Sequence, residues 1–274
     1  MDPDDNAEIT LSDHDPVGET ARQAAERRSA EDEDLRESLA GLSRLASDRL
    51  TLEAMLTQVA TYAVRAIPGA DGAGLTLLER DRADTIVATA PFVSEVDDIQ
   101  YGLDQGPCIS AAREGHVVLS GSLGGDPRWP RFGGRVARLG VHSVVSLPLI
   151  TPDGVVGAMN VYAHDKNAFD DRAAELGQIF AAPAAIAVHN AHVLAQTQRL
   201  ADQLQSALEL RGAIDRAVGI LMSRSGSTEH EALERLRTLS QHEHRKLGEV
   251  ARQIVDEAVA RARALRSRQS QEPT

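Results

Sequence analysis

At 274 residues with 42% hydrophobic side chains, the chain can bury a sizeable core, and its length and composition fit about two domains of an ordinary soluble protein. The opening MDPDDNAEIT has no apolar leader after a basic start, and the longest mostly apolar stretch, IFAAPAAIAV, is about half of a membrane span, so neither secretion nor insertion is expected. The lone cysteine, Cys108, rules out an internal disulfide and fits a cytoplasmic setting, while the net charge of −12 hides a reversal of sign along the chain.

Residues 1–47 are rich in Asp and Glu and lack large aromatic residues. They offer little apolar surface to offset ordering entropy and are expected to be mostly disordered, with a short helix toward the end at EDEDLRESLAGLSRLA. A domain is expected over 48–192. It begins with Leu52, Met55, Leu56, Val59 and Val64 at helical spacing, closed by IPGADGAG. Five short β-branched runs follow: GLTLLE, TIVATA, HVVLSG, HSVVSLPLI and GVVGAMNVY. TPDG between the last two predicts a hairpin turn, because Pro presets φ and Gly permits a positive one. Shorter helices are expected at GPCISAAREG and PRFGGRVARLG. The sum is an α+β domain, an antiparallel sheet flanked by helices.

A helical pattern then runs from about Asp170 to Arg224, and Pro183 should kink or interrupt it. Ile179, Ile186, Val193, Leu200, Ala207 and Ile214 recur every seven residues, but Asn190, Thr197 and Arg211 fall at the companion positions. The segment 193–213 therefore reads either as an imperfect dimerising coiled coil or as a helix packed on its own chain.

Three helices close the sequence. The first buries Ile214, Ala217, Val218, Leu221 and Met222 and stops at Gly226. Thr228 and Glu231 form a capping box for the second, which buries Leu233, Leu236 and Leu239. The third carries Leu247, Val250, Ala251, Ile254, Val255 and Ala258 on one face. Three single-faced helices pack as an all-α bundle over about 200–262, with a disordered tail at 263–274. Gly219 inside the first helix costs about 1 kcal/mol relative to Ala, which a close helix neighbour would explain.

Charge separates this bundle from the rest. Residues 1–50 carry 14 acidic and 6 basic side chains, and residues 211–268 carry 8 acidic and 12 basic ones. A basic module on an acidic protein suits an anionic partner, although part of the surplus lies in the tail ARARALRSR. The joint SQHEHRKLGEV holds His242, His244, Arg245 and Lys246. Zinc needs three or four converging ligands, and only His230 and nearby glutamates are at hand, so no metal is expected. A small bundle rarely encloses a catalytic pocket. A polar turn that opens a helix suits phosphate oxygens, or is simply solvated.

RGAIDRAVGILMSRSG, HEALERLRTLSQ and RKLGEVARQIV, in that order, resemble the ANTAR family of antitermination domains. The family's first motif is met by Arg211, Ile214, Asp215, Ala217, Gly219, Ile220, Leu221 and Met222. Its second is met by Ser240, Gln241, Lys246 and Leu247. Val218 stands where lysine is frequent, His244 where asparagine is usual, and Gly248 where arginine is common. The resemblance implies binding to RNA stem–loops and prevention of a terminator hairpin. The candidate contacts are Arg211, Arg216, Arg224, Ser240, Gln241, His244, Arg245 and Lys246, with the arginines as stacking platforms because the module has no Phe, Trp or Tyr. Duplex DNA is the competing anionic partner.

Residues 49–192 resemble the GAF family of sensor domains through GLDQGPCISAAREG and the run from DPRWPRF to NAFD. That implies a small-molecule site or a dimerisation platform, with the ligand left unknown. Cys108 after Gly-Pro is either a redox-active thiol at a helix start or an inert buried residue, the latter preferred. Trp129 walls a pocket or packs beneath a loop, and His142 opens the fourth strand. No nucleophile–base pair, metal cluster or nucleotide motif points to an enzyme. The sequence therefore predicts a cytoplasmic regulator, expected to be a homodimer, with an RNA-binding module and no membrane partner.

Overall fold

The computed structural model describes residues 16–45, 50–79 and 82–269. It divides into two units, residues 1–195 and 196–274, each considered separately below.

In the first unit the five expected strands form one antiparallel sheet: β1 (Gly72–Glu79), β2 (Arg82–Ala88), β3 (Val118–Ser120), β4 (Ser143–Thr151) and β5 (Gly154–Ala163), in the order β2-β1-β5-β4-β3. Thr151 pairs with Gly154 across the TPDG turn, and Gly154 takes a φ of +120° that only glycine adopts easily. Period-2 alternation sends the two faces of each central strand to different cores. Leu75, Leu77, Val145, Leu147, Met159 and Val161 meet α2 (Leu52–Ala66) and the first part of α6 (Asp171–Ser225). Thr76, Ser146, Asn160 and Tyr162 occupy the opposite face with α3 (Pro91–Leu103) and α4 (Pro107–Glu114), and the short α5 (Gly133–Val136) adds Val136 to the same cluster as Tyr162. Thr51 caps α2 by accepting from the Ala54 N–H.

Four expectations are corrected. The acidic segment is helical over its described part: α1 spans Pro16–Leu45, while residues 1–15 and 46–47 lie outside the described residues. Leu35, Leu42 and Leu45 are buried on the α2 side, each contributing about 1.5–3 kcal/mol of burial, and Asp34 and Asp32 pair with Arg65 and Arg172. Its acids thus have fixed partners, which composition alone does not reveal. The second correction is α6, which is continuous through Pro183. Phe180, Ala181, Ala184 and Ala185 are buried on the core around the proline, so packing overrides the lost hydrogen bond. Third, α6 is long and apolar enough by composition to cross a membrane, contrary to the reading of its central stretch alone. Its buried residues from Ala173 to Val188 belong to the core of the first unit. Last, the tail expected from 263 onward is helical to Gln269, and residues 270–274 lie outside the described residues.

In the second unit, the C-terminal part of α6 packs with α7 (Glu229–His242) and α8 (Leu247–Gln269) around Ala213, Ala217, Val218, Leu221, Ala232, Leu236, Val250 and Ala251. Gly226 ends α6 at a φ of +70°, its N–H donating to the Met222 carbonyl. The Thr228–Glu231 capping box is complete in both directions.

Candidate functional sites

The α3/α4 face of the sheet holds a buried polar network that the sequence reading missed. The Tyr162 hydroxyl donates to Asp97 Oδ1 at 2.8 Å, Asn160 Nδ2 donates to the same oxygen at 3.4 Å, and Ser146 Oγ donates to Asn160 Oδ1 at 2.7 Å. The Tyr101 hydroxyl donates to Thr76 at 2.6 Å and lies 3.3 Å from Cys108 Sγ, while the Cys108 N–H donates to Gln100 Oε1. Asp97 Oδ2 and Gln100 Nε2 are buried without partners among the described residues. Burial pushes the Asp97 carboxyl up to about 7, against the pull of the Tyr162 and Asn160 hydrogen bonds. Network and helix escaped notice for one reason: α3 buries Val93, Val96, Asp97 and Gln100, so half of its inward stripe is polar.

Of the candidate ligand residues, Cys108 is fully inside this network. Burial raises its thiol to about 12, assisted by the nearby Asp97, so desolvation outweighs the helix start, in line with the preferred inert alternative. Trp129 is buried beside Phe132 and Val136, donates from Nε1 to Ser110 Oγ at 3.1 Å, and carries the Arg128 guanidinium 4.3 Å above its ring. Arg128 in turn bonds Asp126 and holds that carboxyl down at about 2. His142 is half-buried and anchors β4 through its backbone, accepting from Leu123 and donating to Ala163; its ring takes no part in the network. On the other face, a concavity of about 350 Å³ opens between Val117, Leu147, Pro148, Ile150, Gln178 and Ala181.

In the second unit, the α7–α8 joint is built as a turn. The Arg245 N–H donates to the Ser240 carbonyl at 3.1 Å, and Ser240 Oγ donates to the Arg245 carbonyl at 2.6 Å. His244 lies between them at a φ of +52°, a left-handed conformation that asparagine tolerates well. The asparagine of the resembled family thus answers a backbone requirement at this position. Arg245 is engaged with Glu243, Glu249 and Gln253, whereas Lys246 is exposed and without an ion pair among the described residues. Gln241 is exposed on the last turn of α7. Arg211 pairs loosely with Asp215 at 3.9 Å; Arg216 and Arg224 are exposed and unpaired among the described residues. Val218 is buried in the bundle, and Gly248 is buried where a Cβ would run into Leu210. Among the described residues there is no group of three or more His, Cys, Asp or Glu able to hold a metal.

The family model for the GAF domain matches residues 49–189, and that for the ANTAR domain matches residues 202–255. The chain is 30% identical over 138 residues to the anaerobic nitric oxide reductase transcription regulator NorR of Vibrio vulnificus, in strains YJ016 and CMCP6; the match covers 49% of this chain. The chain spans about a quarter of the length of these curated relatives, 27%. Among solved structures it is similar to the GAF domain of an Acinetobacter phosphoenolpyruvate-protein phosphotransferase, at 12% identity and a TM-score of 0.43, covering 59% of this chain and 97% of that one. It is also similar to a free methionine-R-sulfoxide reductase from Neisseria meningitidis, at 17% identity and a TM-score of 0.42, covering 60% and 91%. At these scores neither likeness supports a statement about function.

Proposed function

The chain belongs to the GAF domain family and carries an ANTAR domain C-terminal to it, the pairing of a signal-responsive regulator, and from that premise we propose that it acts as a cytoplasmic transcription antiterminator binding RNA stem–loops. Terminator and antiterminator hairpins are alternative foldings of one transcript, and a protein that holds one of them shifts the balance by its differential affinity. What carries this reading is the coincidence of the ANTAR match with a bundle whose Arg216, Arg224 and Lys246 are exposed and without ion pairs among the described residues. Arg211, Gln241, His244 and Arg245 surround them as weaker candidates, and Ser240 supports the turn. The first unit supplies the input, either a small molecule or a partner. Both domains are regulatory rather than catalytic, and no step of chemistry is assigned to the chain.

A homodimer presents two bundles to two RNA loops and raises avidity without new contacts. The surface for it is α6, where Ile179, Ile186, Val193 and Leu200, seven residues apart, are 46%, 55%, 45% and 56% exposed in the single chain. The test is to sequence RNA that co-purifies with the full-length protein. Recovery of stem–loops enriched over the transcript pool is the expected result. Retention of no RNA in dilute buffer, or equal retention of duplex DNA with the same salt dependence, would sink the reading.

A further inference from the structure

We propose, resting on the RNA-binding reading above, that the RNA seat is the groove between the C-terminal part of α6 and α8, and that it receives a nucleotide turned out of an RNA loop. Arg216, Arg224 and Arg252 take the phosphates there, and the base lies between the Gly219 backbone and the Val255–Val259 wall.

Two depressions of about 530 and 560 Å³ lie side by side on this face and share Arg216. Both are shallow and open to solvent, a surface on which one nucleotide can lie rather than an enclosed pocket. The first runs between Gly219 and Ser223 on α6 and Val255 and Val259 on α8; the second is bounded by Gly212 and Arg252. Gly212 and Gly219 are seven residues apart and share a helix face. A Cβ at either position would meet nothing within 4 Å. Glycine weakens a helix, and among the described residues nothing else uses the space, contrary to the expected close helix neighbour. The space leaves a bare strip of backbone that a ribose or base can approach.

Charge identifies the occupant. Arg216, Arg224 and Arg252 are exposed and without ion pairs among the described residues. Elsewhere in the same unit Arg237, Arg245 and Arg261 are paired to Glu234, Glu243 and Glu257, while Arg235, Lys246 and Arg263, also without ion pairs among the described residues, line neither depression. The one carboxylate lining the second depression, Glu209, accepts from Gln205 at 2.9 Å. A second copy's helix laid in this groove would desolvate three arginines without opposite charge. A duplex keeps its bases stacked inside and offers nothing to enter a concavity, whereas RNA loops splay bases outward. With no Phe, Trp or Tyr in the module and none of its histidines lining either depression, guanidinium planes and a short aliphatic wall are the stacking surfaces available there.

The test uses the full-length chain and a pool of RNA hairpins with randomised loops, alongside a duplex DNA pool of matched length. Arg216→Ala and Arg252→Ala are each expected to weaken hairpin binding about tenfold. Arg261→Ala, an equal loss of charge from a paired site, is expected to leave it within about twofold. Gly219→Ala is expected to move the two readouts in opposite directions, raising the melting temperature while lowering hairpin affinity. If the unmodified chain binds hairpins and the groove variants bind equally well, the groove is wrong and the RNA reading survives. If the unmodified chain ignores every hairpin in dilute buffer, the RNA reading itself fails. Loss of self-association in Gly219→Ala, with RNA binding intact, would hand the groove to a second copy and overturn the proposal.

Discussion

The Tyr162 hydroxyl donates a 2.8 Å hydrogen bond to Oδ1 of Asp97, joining β5 to α3 inside the first unit, while Oδ2 of the same carboxyl is buried without a partner among the described residues. The facing titratable groups are Tyr162 on β5, Tyr101 and Asp98 on α3, and Cys108 on α4; none is cationic, so desolvation favours the protonated carboxyl. Its folded value is about 7 against 3.8 for the free side chain, so between those values the folded state binds more protons than the unfolded one. Stability of this unit therefore falls as pH rises from about 4 to about 7 and then levels. Denaturant titrations read by the single Trp129 at several pH values should show that slope, and Asp97→Asn should flatten it. An unchanged slope in the variant would refute the assignment.

Cys108 is held as a thiol by burial and by the Asp97 carboxyl, with the Tyr101 hydroxyl 3.3 Å away. A thiol-specific reagent at pH 8 should therefore modify the native protein only at the rate of opening, and modify the denatured chain at once. Rapid labelling without denaturant would show an accessible thiolate instead.

The legible and the hidden parts of this fold differ in one physical respect. The five strands, the TPDG turn, the capping box and Gly226 are written in local chemistry, either β-branching between breakers or a side chain that serves its own backbone. Helix α3 is hidden because Asp97 and Gln100 occupy inward positions where a pattern search wants Leu. Helix α1 is hidden because its acids balance Arg65 and Arg172, which lie far along the chain. At the proposed RNA-binding face, the arginines are plain in the sequence. Which of them are free of carboxylate partners, and that Arg252 joins Arg216, emerges only when α8 is folded against α6.

Leu42 is 3% exposed and sits in the α1–α2 seam. Leu42→Ala should cost about 2–4 kcal/mol of the first unit's stability through lost transfer energy and a residual cavity. Equilibrium unfolding followed at Trp129 measures it. A loss under about 0.5 kcal/mol would mean that α1 is not docked in solution.

His244→Gly should stabilise the bundle by about 1 kcal/mol, since glycine takes the left-handed conformation without the Cβ penalty. Hairpin affinity measured on the same variant separates roles: a large loss would give the imidazole a direct contact with RNA.

Leu200→Glu and Leu204→Glu place charge on residues that are 56% and 58% exposed in the single chain. Sedimentation should show these variants as monomers at concentrations where the unmodified protein is a dimer, with helical content unchanged. Equal masses for all three would remove α6 as the dimer surface.

Gly248 and Leu210 occupy one volume between them. Only the far end of the Leu210 side chain stands in the way, and Leu210 is 38% exposed, so a larger residue at 248 turns that side chain toward water rather than breaking the bundle. Size at 248 is thereby exchanged for apolar surface shown to solvent at 210, and the two sites are expected to vary as a pair.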